Sequence, residues 1–332
     1  MKTNVNLSKK FQMLKVGVIG AGHLGKIHLK CILELKENYD LVGFYDPDAQ
    51  RRQLIFEELN IPAFDNQLDL INSVDVIDIV TPAIFHYEVA EVAIKNNKHV
   101  FIEKPVTATL DEANNLLKLT ENHPVKVQIG HVERFNPAVL GLGEKEIHPM
   151  FIEAHRLSMF NPRGTDVSVV LDLMIHDLDL VLNWIKSPVK NIHASGVAVV
   201  SDTPDIANAR IEFENGCVAN LTASRISMKQ MRKIRLFQKD AYISLDLLEK
   251  QTQIIEISDN EPNESNQTFP LETPKGTKFI TIDMPEIQQV NAIKEELKSF
   301  AISIEQNTTI KVSLNDGVDV LKIAYQILEK IN

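Results

Sequence analysis

Three glycines near the start of the chain have the spacing of a phosphate-binding turn. The segment Gly20–Gly25, with the sequence GAGHLG, directly follows the apolar run Lys15–Ile19 and precedes a helical pattern. In such a segment Gly20 permits a tight turn, Gly22 lets the backbone approach a pyrophosphate, and Gly25 allows close packing of helix on strand. The helix N-terminus adds amide donors and a positive dipole end. The segment predicts a dinucleotide site, with a purely structural turn as the alternative.

The helix start and a later carboxylate extend this predicted site. His23 and Leu24 begin the helical pattern, so their backbone is expected near the pyrophosphate. Asp46 ends the second apolar run, where a carboxylate can accept hydrogen bonds from a ribose and repel a 2′-phosphate. Arg51 and Arg52 could reach a 2′-phosphate, but arginines in a helix after such a turn are more often solvated. The expected cofactor is therefore NAD rather than NADP.

A second group of residues has the spacing needed for proton transfer. Asp172, His176 and Asp179 follow one another at i, i+4 and i+7, so in a helix they project from one face. A carboxylate one turn from a histidine can orient the ring and adjust its pKa. An ion pair on a helix surface, with a histidine satisfied by its neighbours, remains the alternative. The apolar residues that flank this face are Leu171, Met174, Ile175, Leu178 and Leu182.

Lys104 is a third candidate, since it lies just past the apolar run His99–Ile102. Ligands bind at the carboxyl ends of strands in open α/β sheets. An amine at that place can donate to a substrate oxygen and stabilise a developing alkoxide. By its position alone, a lysine at a strand end is more often solvated.

The predicted elements that must position these residues follow two different patterns along the chain. Up to about residue 130, strand-length Val/Ile-rich runs alternate with helical patterns, which indicates an α/β fold with a parallel sheet covered on both faces. The predicted strands are Lys15–Ile19, Leu41–Tyr45, Val74–Val80, His99–Ile102 and Val125–Ile129, and the predicted helices are His23–Glu37, Asp48–Leu59, Ile84–Asn96 and Leu110–Glu121.

The second half reads as an α+β domain with a large, mostly antiparallel open sheet. One amphipathic helix, Val169–Trp184, precedes consecutive strand-like runs, and two helical patterns, Glu286–Gln306 and Leu314–Ile331, close the chain. The polar stretch from 259 to 276 is predicted as a surface loop or long hairpin connection. We place the domains at 13–135 and 136–332. The predicted strands are Asn191–Val200, Ala207–Glu214, Val218–Ser224, Lys233–Phe237, Ala241–Leu247, Gln253–Ile257 and Phe279–Ile282.

Composition and charge exclude several classes of protein. The 332 residues include 35 basic and 45 acidic side chains, for a net charge of −10, which argues against a nucleic-acid binder. No apolar run approaches the ~20 residues of a membrane span, and the N-terminus lacks the apolar segment of a signal peptide. Cys31 and Cys217 fit neither a disulfide framework nor a structural zinc site, and no cluster has metal-ligand spacing. We expect a cytoplasmic protein without a metal.

Motifs spread over nearly the whole chain resemble those of the Gfo/Idh/MocA oxidoreductase family. They are VGVIGAGHLG near the start, Thr81-Pro82 with His86, Glu103-Lys104-Pro105, GHVERFNP at Gly130–Pro137, and the Asp172/His176/Asp179 helix. The resemblance implies an N-terminal Rossmann domain with a doubly wound parallel sheet. It also implies that Thr81, Pro82, His86, Glu103 and Lys104 line the NAD site.

The resemblance further implies oxidation of a secondary alcohol, or the reverse reaction. His176 would take the hydroxyl proton, Lys104 would hold that oxygen, and Asp172 and Asp179 would orient the histidine or bind neighbouring hydroxyls. The division of labour between Lys104 and His176 stays open. The cofactor would supply the hydride step, and the protein would supply positioning.

The segments around the candidate helix are similar to those of family members that oxidise the 3-hydroxyl of a nucleotide sugar such as UDP-N-acetylglucosamine. Arg134, Arg156 and Arg163 would then serve as partners of the diphosphate. Inositol and simple sugar dehydrogenases more often carry a glycine-rich stretch where this chain has Asp166–Val170. They remain the first alternative, followed by an NAD-dependent glycosidase and a non-catalytic NAD sensor.

The open sheet of the second domain has an exposed face to cover, and the family commonly builds oligomers from such sheets. We expect a homodimer or homotetramer. The basic run of Arg225, Lys229, Arg232, Lys233 and Arg235 is best explained as a solvated face or an oligomer contact.

Overall fold

The computed structural model describes residues 13–161, 167–260, 268–274 and 276–331. The chain divides into two compact units, of which the first runs up to Gly130 and includes Ile293–Leu314. The second comprises His131–Ala292 and the chain from Asn315 onward. The predicted cut between residues 135 and 136 lies near the first of these boundaries, but it did not assign Ile293–Leu314 to the first unit.

The first unit is built on a parallel sheet of five strands, in the order β2-β1-β3-β4-β5. Its strands are β1 (Leu14–Ile19), β2 (Tyr39–Tyr45), β3 (Val76–Ile79), β4 (His99–Glu103) and β5 (Val127–Gly130), and its helices in this part of the chain are α1 (His23–Glu34), α2 (Ala49–Leu59), α3 (Gln67–Ser73), α4 (His86–Lys95) and α5 (Leu110–Thr120).

Strand order explains where a ligand can bind in this unit. Strand β1 lies between β2 and β3, and an isolated parallel bridge from Phe44 to Ala63 extends the sheet beyond β2. The order therefore reverses at β1, and such a switch point opens a crevice at the carboxyl ends of the strands. Every residue of β3 is buried, as expected for a central strand covered on both faces. The predicted α/β class with a doubly wound parallel sheet is confirmed.

The second unit is built on a nine-stranded sheet in the order β13-β14-β12-β11-β10-β6-β9-β8-β7, in which only β6 and β9 run parallel. This confirms the predicted large and mostly antiparallel sheet. The strands are β6 (Phe151–Leu157), β7 (Val189–Val197), β8 (Ile206–Phe213), β9 (Val218–Ser224), β10 (Met231–Phe237), β11 (Ala241–Asp246), β12 (Gln251–Ser258), β13 (Thr268–Thr273) and β14 (Gly276–Asp283), and the helices before β7 are α6 (Pro137–Leu140) and α7 (Ile175–Trp184).

Two helices close the described chain, α8 (Ala292–Glu305) and α9 (Leu314–Ile331). The apolar face of α9 lies in the core of the second unit, where Val320, Ala324 and Ile327 are buried with residues of α7 and of the sheet. Strand β6 alternates buried and partly exposed residues, which is typical of a sheet with one face on the core.

Helix α8 instead belongs to the first unit, and packing explains why. Leu297 and Phe300 are buried in the same apolar cluster as Phe101 of β4, and the Phe300 and Phe101 rings lie 6.1 Å apart. The hydroxyl of Tyr39, on β2, donates a 2.8 Å hydrogen bond to the carbonyl of Leu297. The residues that follow α8 lie beside β5, where the Ile129 amide donates to the carbonyl of Val312. The domain limits drawn from sequence missed this placement because nothing local marks it.

Four elements were not predicted, among them the single-turn helix α6. Helix α3 is short and begins at Asn66, whose side chain caps it by accepting from the amides of Leu68 and Asp69. Strand β6 has Glu153, His155 and Arg156 between its apolar residues, so it lacks an apolar run. Strand β13 lies within the predicted 259–276 loop, part of which lies outside the described residues. None of the helices within the described ranges has the length and apolar composition to cross a bilayer.

We predict that Phe300→Ala destabilises the protein by about 3–5 kcal/mol, because it leaves a cavity in the core of the first unit. The free energy of unfolding from a denaturant titration measures the effect. Phe56→Ala is the matched control, since Phe56 on α2 is exposed and should lose less than about 1 kcal/mol. A loss of under 1 kcal/mol for Phe300→Ala would contradict the packing of α8 into this core.

Candidate functional site

The glycine turn between β1 and α1 is packed at two glycines and open at the third. Gly20 has a φ of +97°, and a Cβ added there would lie 2.7 Å from the carbonyl oxygen of Val80. A Cβ added to Gly25 would lie 2.0 Å from the carbonyl oxygen of Gly20. At Gly22 an added Cβ would meet no atom of the described residues within 4 Å, so the backbone there is open to a ligand.

Asp46 is buried behind this turn and binds three donors of its own chain. Its carboxylate accepts from the amide of Ala21 at 2.8 Å and from the amide of Asp48 at 3.0 Å. Arg51 Nη1 lies 3.0 and 3.1 Å from the two carboxylate oxygens. The Asp46 residue is only 2% exposed. The carboxylate therefore braces the glycine turn, and its predicted contact with a ribose stays a prediction.

The two arginines of α2 are not simply solvated, contrary to the expectation. Arg51 is half-exposed and neutralises Asp46, and Arg52 donates to the carbonyl of Asp46 and pairs with Asp65 at 3.0 Å. An open groove of about 660 Å³ beside the turn is lined by Gly22, His23, Lys26 and Arg51, among others. Leu24, at the start of α1, is exposed.

The turn after β3 carries Thr81, Pro82 and His86, and it adjoins the glycine turn. A Cβ on Gly20 would lie 2.9 Å from the amide nitrogen of Thr81. The Thr81 hydroxyl is buried and has no hydrogen-bond partner among the described residues. Pro82 is exposed, whereas His86 is buried. His86 Nδ1 lies 2.9 Å from the carbonyl oxygen of Pro105, and Nε2 lies 2.8 Å from that of Thr81.

His86 therefore supports two backbone turns rather than presenting its ring to a ligand. Burial lowers the pKa of His86, so near pH 7 the ring is neutral and donates to one of the two carbonyls. The resemblance placed His86 in the cofactor site. The structure assigns its side chain to holding the Thr81 and Pro105 backbone in place.

Glu103 and Lys104 end β4, and their side chains differ in exposure. Glu103 is buried, with Oε1 3.1 Å from Nε2 of His28 and Oε2 accepting from the Lys104 amide at 3.2 Å. Lys104 is half-buried, and the peptide bond from Lys104 to Pro105 is cis. Glu103 thus contacts other parts of the first unit, whereas Lys104 retains access to solvent.

These features fit a dinucleotide in the first unit. The open backbone at Gly22, the start of α1 and the unpartnered hydroxyl of Thr81 all lie where strand order reverses. Amide donors at a helix N-terminus beside a glycine turn suit a pyrophosphate. The residues present could therefore hold NAD or NADP.

In the second unit, the candidate helix is not one regular α-helix as predicted. Val170–Met174 forms a π-helical stretch, and α7 follows from Ile175. Such stretches are rare and frequently occur at functional sites. Asp172 lies within the π-helical stretch and His176 in the first turn of α7, and both are partly exposed.

Asp179 does not share this environment. It is fully buried and accepts from Arg134 at both oxygens, with Nε–Oδ2 at 2.8 Å and Nη2–Oδ1 at 2.6 Å. Asp316 on α9 lies 3.5 Å from the same guanidinium. Burial alone would lower the pKa of Arg134, but Asp179 and Asp316 outweigh it and raise that pKa. Asp179 therefore differs from Asp172 and His176 in both its burial and its partner, although the three were predicted to share a face.

Arg156, like Arg134, is a buried arginine paired with two carboxylates. It lies buried on β6, 2.7 Å from Asp177 and 2.8 Å from Glu133, and these carboxylates raise its pKa although burial opposes the shift. Burial in turn raises the pKa of Asp177, partly offset by Arg156. Both Arg134 and Arg156 are neutralised within the protein, which argues against their predicted role as partners of a diphosphate. Arg163 lies outside the described residues.

Three members of the buried ion pairs were not identified from the sequence. They are His28, Glu133 and Asp177. His28 follows the glycine turn by one helical turn, and its spacing in the sequence indicates no partner. Glu133 and Asp177 lie within the two motifs that had been singled out, but the motif patterns give no partner for either. Only the spatial pairing of β3 with β4, and of α7 with β6, identifies them.

Comparison with known proteins points to one family. Residues 14–131 match the oxidoreductase family with an NAD-binding Rossmann fold (GFO_IDH_MocA), and residues 150–243 match the GFO/IDH/MocA C-terminal domain. UDP-N-acetylglucosamine 3-dehydrogenase from Acidithiobacillus ferrooxidans is 39% identical over 236 residues, which are 71% of this chain and 74% of that protein. The solved structure of this dehydrogenase, GnnA, covers 96% of this chain and 98% of its own, with a TM-score of 0.86 and 32% identity.

A more distant relative shows the same fold with its ligands. Scyllo-inositol dehydrogenase from Lactobacillus casei, with bound NAD(H) and scyllo-inositol, has a TM-score of 0.75 and 20% identity. That structure covers 96% of this chain and 97% of its own. Together with the two family matches, the glycine turn and the nine-stranded sheet lead to one conclusion: the chain belongs to the Gfo/Idh/MocA family of oxidoreductases.

Proposed function

We propose that this protein is an NAD-dependent dehydrogenase that oxidises the 3-hydroxyl of UDP-N-acetylglucosamine or a closely related nucleotide sugar. The observation that carries this proposal is the similarity to UDP-N-acetylglucosamine 3-dehydrogenase, at 39% identity in sequence and a TM-score of 0.86 in structure. The inositol dehydrogenases share the fold at a lower TM-score and identity.

The preference for NAD rests on Asp46. A carboxylate at the end of β2 disfavours a 2′-phosphate. Arg51 offsets part of this charge, so the discrimination against NADP is expected to be weaker than with an unpaired carboxylate. The groove lined by Gly22, His23 and Arg51 is the proposed place of the adenosine ribose and pyrophosphate.

The chemistry requires a proton acceptor and a partner for the reacting oxygen. When bound, NAD supplies the hydride acceptor. His176 takes the hydroxyl proton, and the carbon that carried the hydroxyl is left as a ketone. Lys104 donates to the oxygen and stabilises the negative charge that develops on it. Asp172, one turn before His176, orients the imidazole.

The charge pairing in the second unit narrows the choice of diphosphate partners. Arg134 and Arg156 are neutralised by Asp179 and by Asp177 with Glu133. Of the three arginines considered, only Arg163 is kept in the proposal for this contact. Asp179 is proposed to act through Arg134, as part of the framework that carries α7.

We also propose that the protein works in the cytoplasm. Both cysteines of the sequence fall in the described ranges, and neither is in a disulfide. This is the usual state of thiols in a reducing compartment.

A substrate panel tests the proposed activity. With NAD, the purified protein is expected to produce NADH absorbance with UDP-N-acetylglucosamine, at a kcat/KM at least tenfold above that for myo-inositol or scyllo-inositol. The 3-keto product can hold back a reversible oxidation, so an aminotransferase or a carbonyl trap is included. Turnover of inositol without turnover of any UDP-hexosamine would contradict the nucleotide-sugar assignment.

Substitution of the two proposed catalytic side chains tests their roles. Lys104→Ala and His176→Ala should each lower kcat by at least 100-fold, because each removes a group that acts on the reacting hydroxyl. NADH affinity, measured by fluorescence titration, should stay within about threefold of the unsubstituted protein. Lys98→Ala, at an amine that donates to the carbonyl of Val74, is the control. Near-normal kcat in either variant would show that its proposed role is wrong.

We further propose that the exposed face of the nine-stranded sheet forms a homodimer or homotetramer contact. Phe151, Phe237 and Tyr242 lie side by side on adjacent strands β6, β10 and β11, with ring centroids 6.0 and 5.1 Å apart. Each is partly or fully exposed, so the face offers an aromatic row that a second copy could cover.

Sedimentation velocity tests this contact against the 37.4 kDa mass of one chain. The protein should sediment at two or four times that mass. Phe237→Asp should shift it toward the single-chain mass, because a carboxylate would be buried in the contact. Met228→Asp, at a residue that is 92% exposed, should have no effect. A single-chain species for the unsubstituted protein at micromolar concentration would exclude the contact.

A further inference from the structure

A buried histidine, His28, connects the first helix to the strand end that carries Lys104. It lies on α1, one turn after Gly25, and it is 0% exposed. Nδ1 lies 2.9 Å from Oδ2 of Asp78, in β3, and Nε2 lies 3.1 Å from Oε1 of Glu103, at the end of β4. The edge of the ring faces Phe101, with ring centroids 5.8 Å apart. Three buried ionisable groups thus meet across two neighbouring strands and a helix.

The surroundings of His28 favour its charged form. Nδ1 is hydrogen-bonded to Asp78, and Nε2 lies at ion-pair distance from Glu103 without a hydrogen bond to the described residues, so a proton on each nitrogen makes both contacts attractive. Burial alone would lower the pKa of His28, but Asp78 and Glu103 outweigh it and hold that pKa well above its usual value. His28 and Lys104 in turn lower the pKa of Glu103 against the effect of burial. The other ionisable group near Asp78 is Tyr39 of β2, whose hydroxyl is engaged with a carbonyl of α8.

Glu103 transmits this arrangement to the backbone at Lys104. While Oε1 faces His28, Oε2 accepts from the Lys104 amide at 3.2 Å. The carboxylate has little room to move, because a Cβ on Gly130 of β5 would lie 2.8 Å from Oε1. On the other side of Lys104, His86 contacts the carbonyl of Pro105. The chain at Lys104 is thus held on both sides by histidines.

We propose that His28 is a positioning residue, which as an imidazolium held by Asp78 anchors the Glu103 carboxylate and so sets the place of Lys104. This rests on the proposed function, in which Lys104 donates to the reacting oxygen. Without the cation, two buried carboxylates face each other, and the repulsion between them displaces Glu103 or forces a proton onto one of them. Either change alters the surroundings of the Lys104 amine.

A double variant that restores the net charge distinguishes a positioning role of His28 from a loss of packing. In the unsubstituted protein the three groups carry a net charge of −1 (two carboxylates and one imidazolium). His28→Gln removes the positive charge, so the net charge of the group becomes −2. The double variant His28→Gln/Asp78→Asn returns the net charge to −1 with Glu103 still charged. If the charge on Glu103 matters for Lys104, the second substitution repairs the first. If His28 only fills space, the second substitution adds to the damage.

The first measurement needs neither cofactor nor sugar. Lys104 is labelled with an amine-reactive anhydride at pH 8 in the ligand-free protein, and the labelled peptide is quantified against that of Lys98. His28→Gln should change this ratio at least threefold, and the double variant should reverse more than half of the change. His99→Gln, at a half-exposed histidine of the same sheet that accepts from the Lys126 amide, should leave the ratio unaltered.

The second measurement is kinetic. His28→Gln should lower kcat at least tenfold while the KM for NAD stays within threefold, because the glycine turn and Asp46 are untouched. The double variant should recover kcat at least threefold over the single variant. A labelling ratio within 1.5-fold of the unsubstituted protein in His28→Gln, or a double variant no better than the single one, would overturn the proposal. Absence of sugar turnover in the unsubstituted protein would instead count against the proposed function, and the labelling ratio would still decide the role of His28.

Discussion

A buried charge must meet an opposite charge, and this constraint positions several of the segments that carry the candidate site residues. Removing an ion from water is costly unless a partner and hydrogen bonds replace the solvent. The chain meets this requirement with buried ion pairs centred on His28, Arg134 and Arg156. Each pairing joins segments that are distant in sequence, so each also determines where a turn or helix lies. The residues proposed for chemistry are carried by those segments.

The pairing separates residues that sequence motifs had grouped together. Asp179 and Asp172 lie seven residues apart, yet Asp179 is buried against Arg134 while Asp172 stays partly exposed in a π-helical stretch. Glu103 and Lys104 are adjacent, yet the first binds His28 and the second keeps access to solvent. A motif therefore contains both the groups proposed to act on a substrate and the groups that hold them. A motif alone does not distinguish the two.

Elements with strong local signals were predicted well. The five parallel strands, four of the helices around them and helix α9 all agree closely with the patterns, because apolar periodicity reports which face is buried. Where burial depends on distant partners, either the element or its place in the fold was not predicted. Strand β6 carries Arg156 on its buried face, where the guanidinium is stable only because Asp177 and Glu133 are there. Helix α8 was predicted as a helix, but its place in the first unit follows only from the packing of Phe300 against Phe101.

The sequence by itself determined the α/β class, the glycine turn, the family resemblance and the candidates Lys104, Asp172 and His176. These follow from short-range patterns, in which spacing along the chain decides which side chains share a face or a turn. Only the tertiary structure decided that Asp46 is neutralised by Arg51, that Arg134 and Arg156 are paired inside the protein, and that His28 bridges β3 and β4. The physical reason is that pairing of charges depends on distance in space, and strand order and helix packing set that distance.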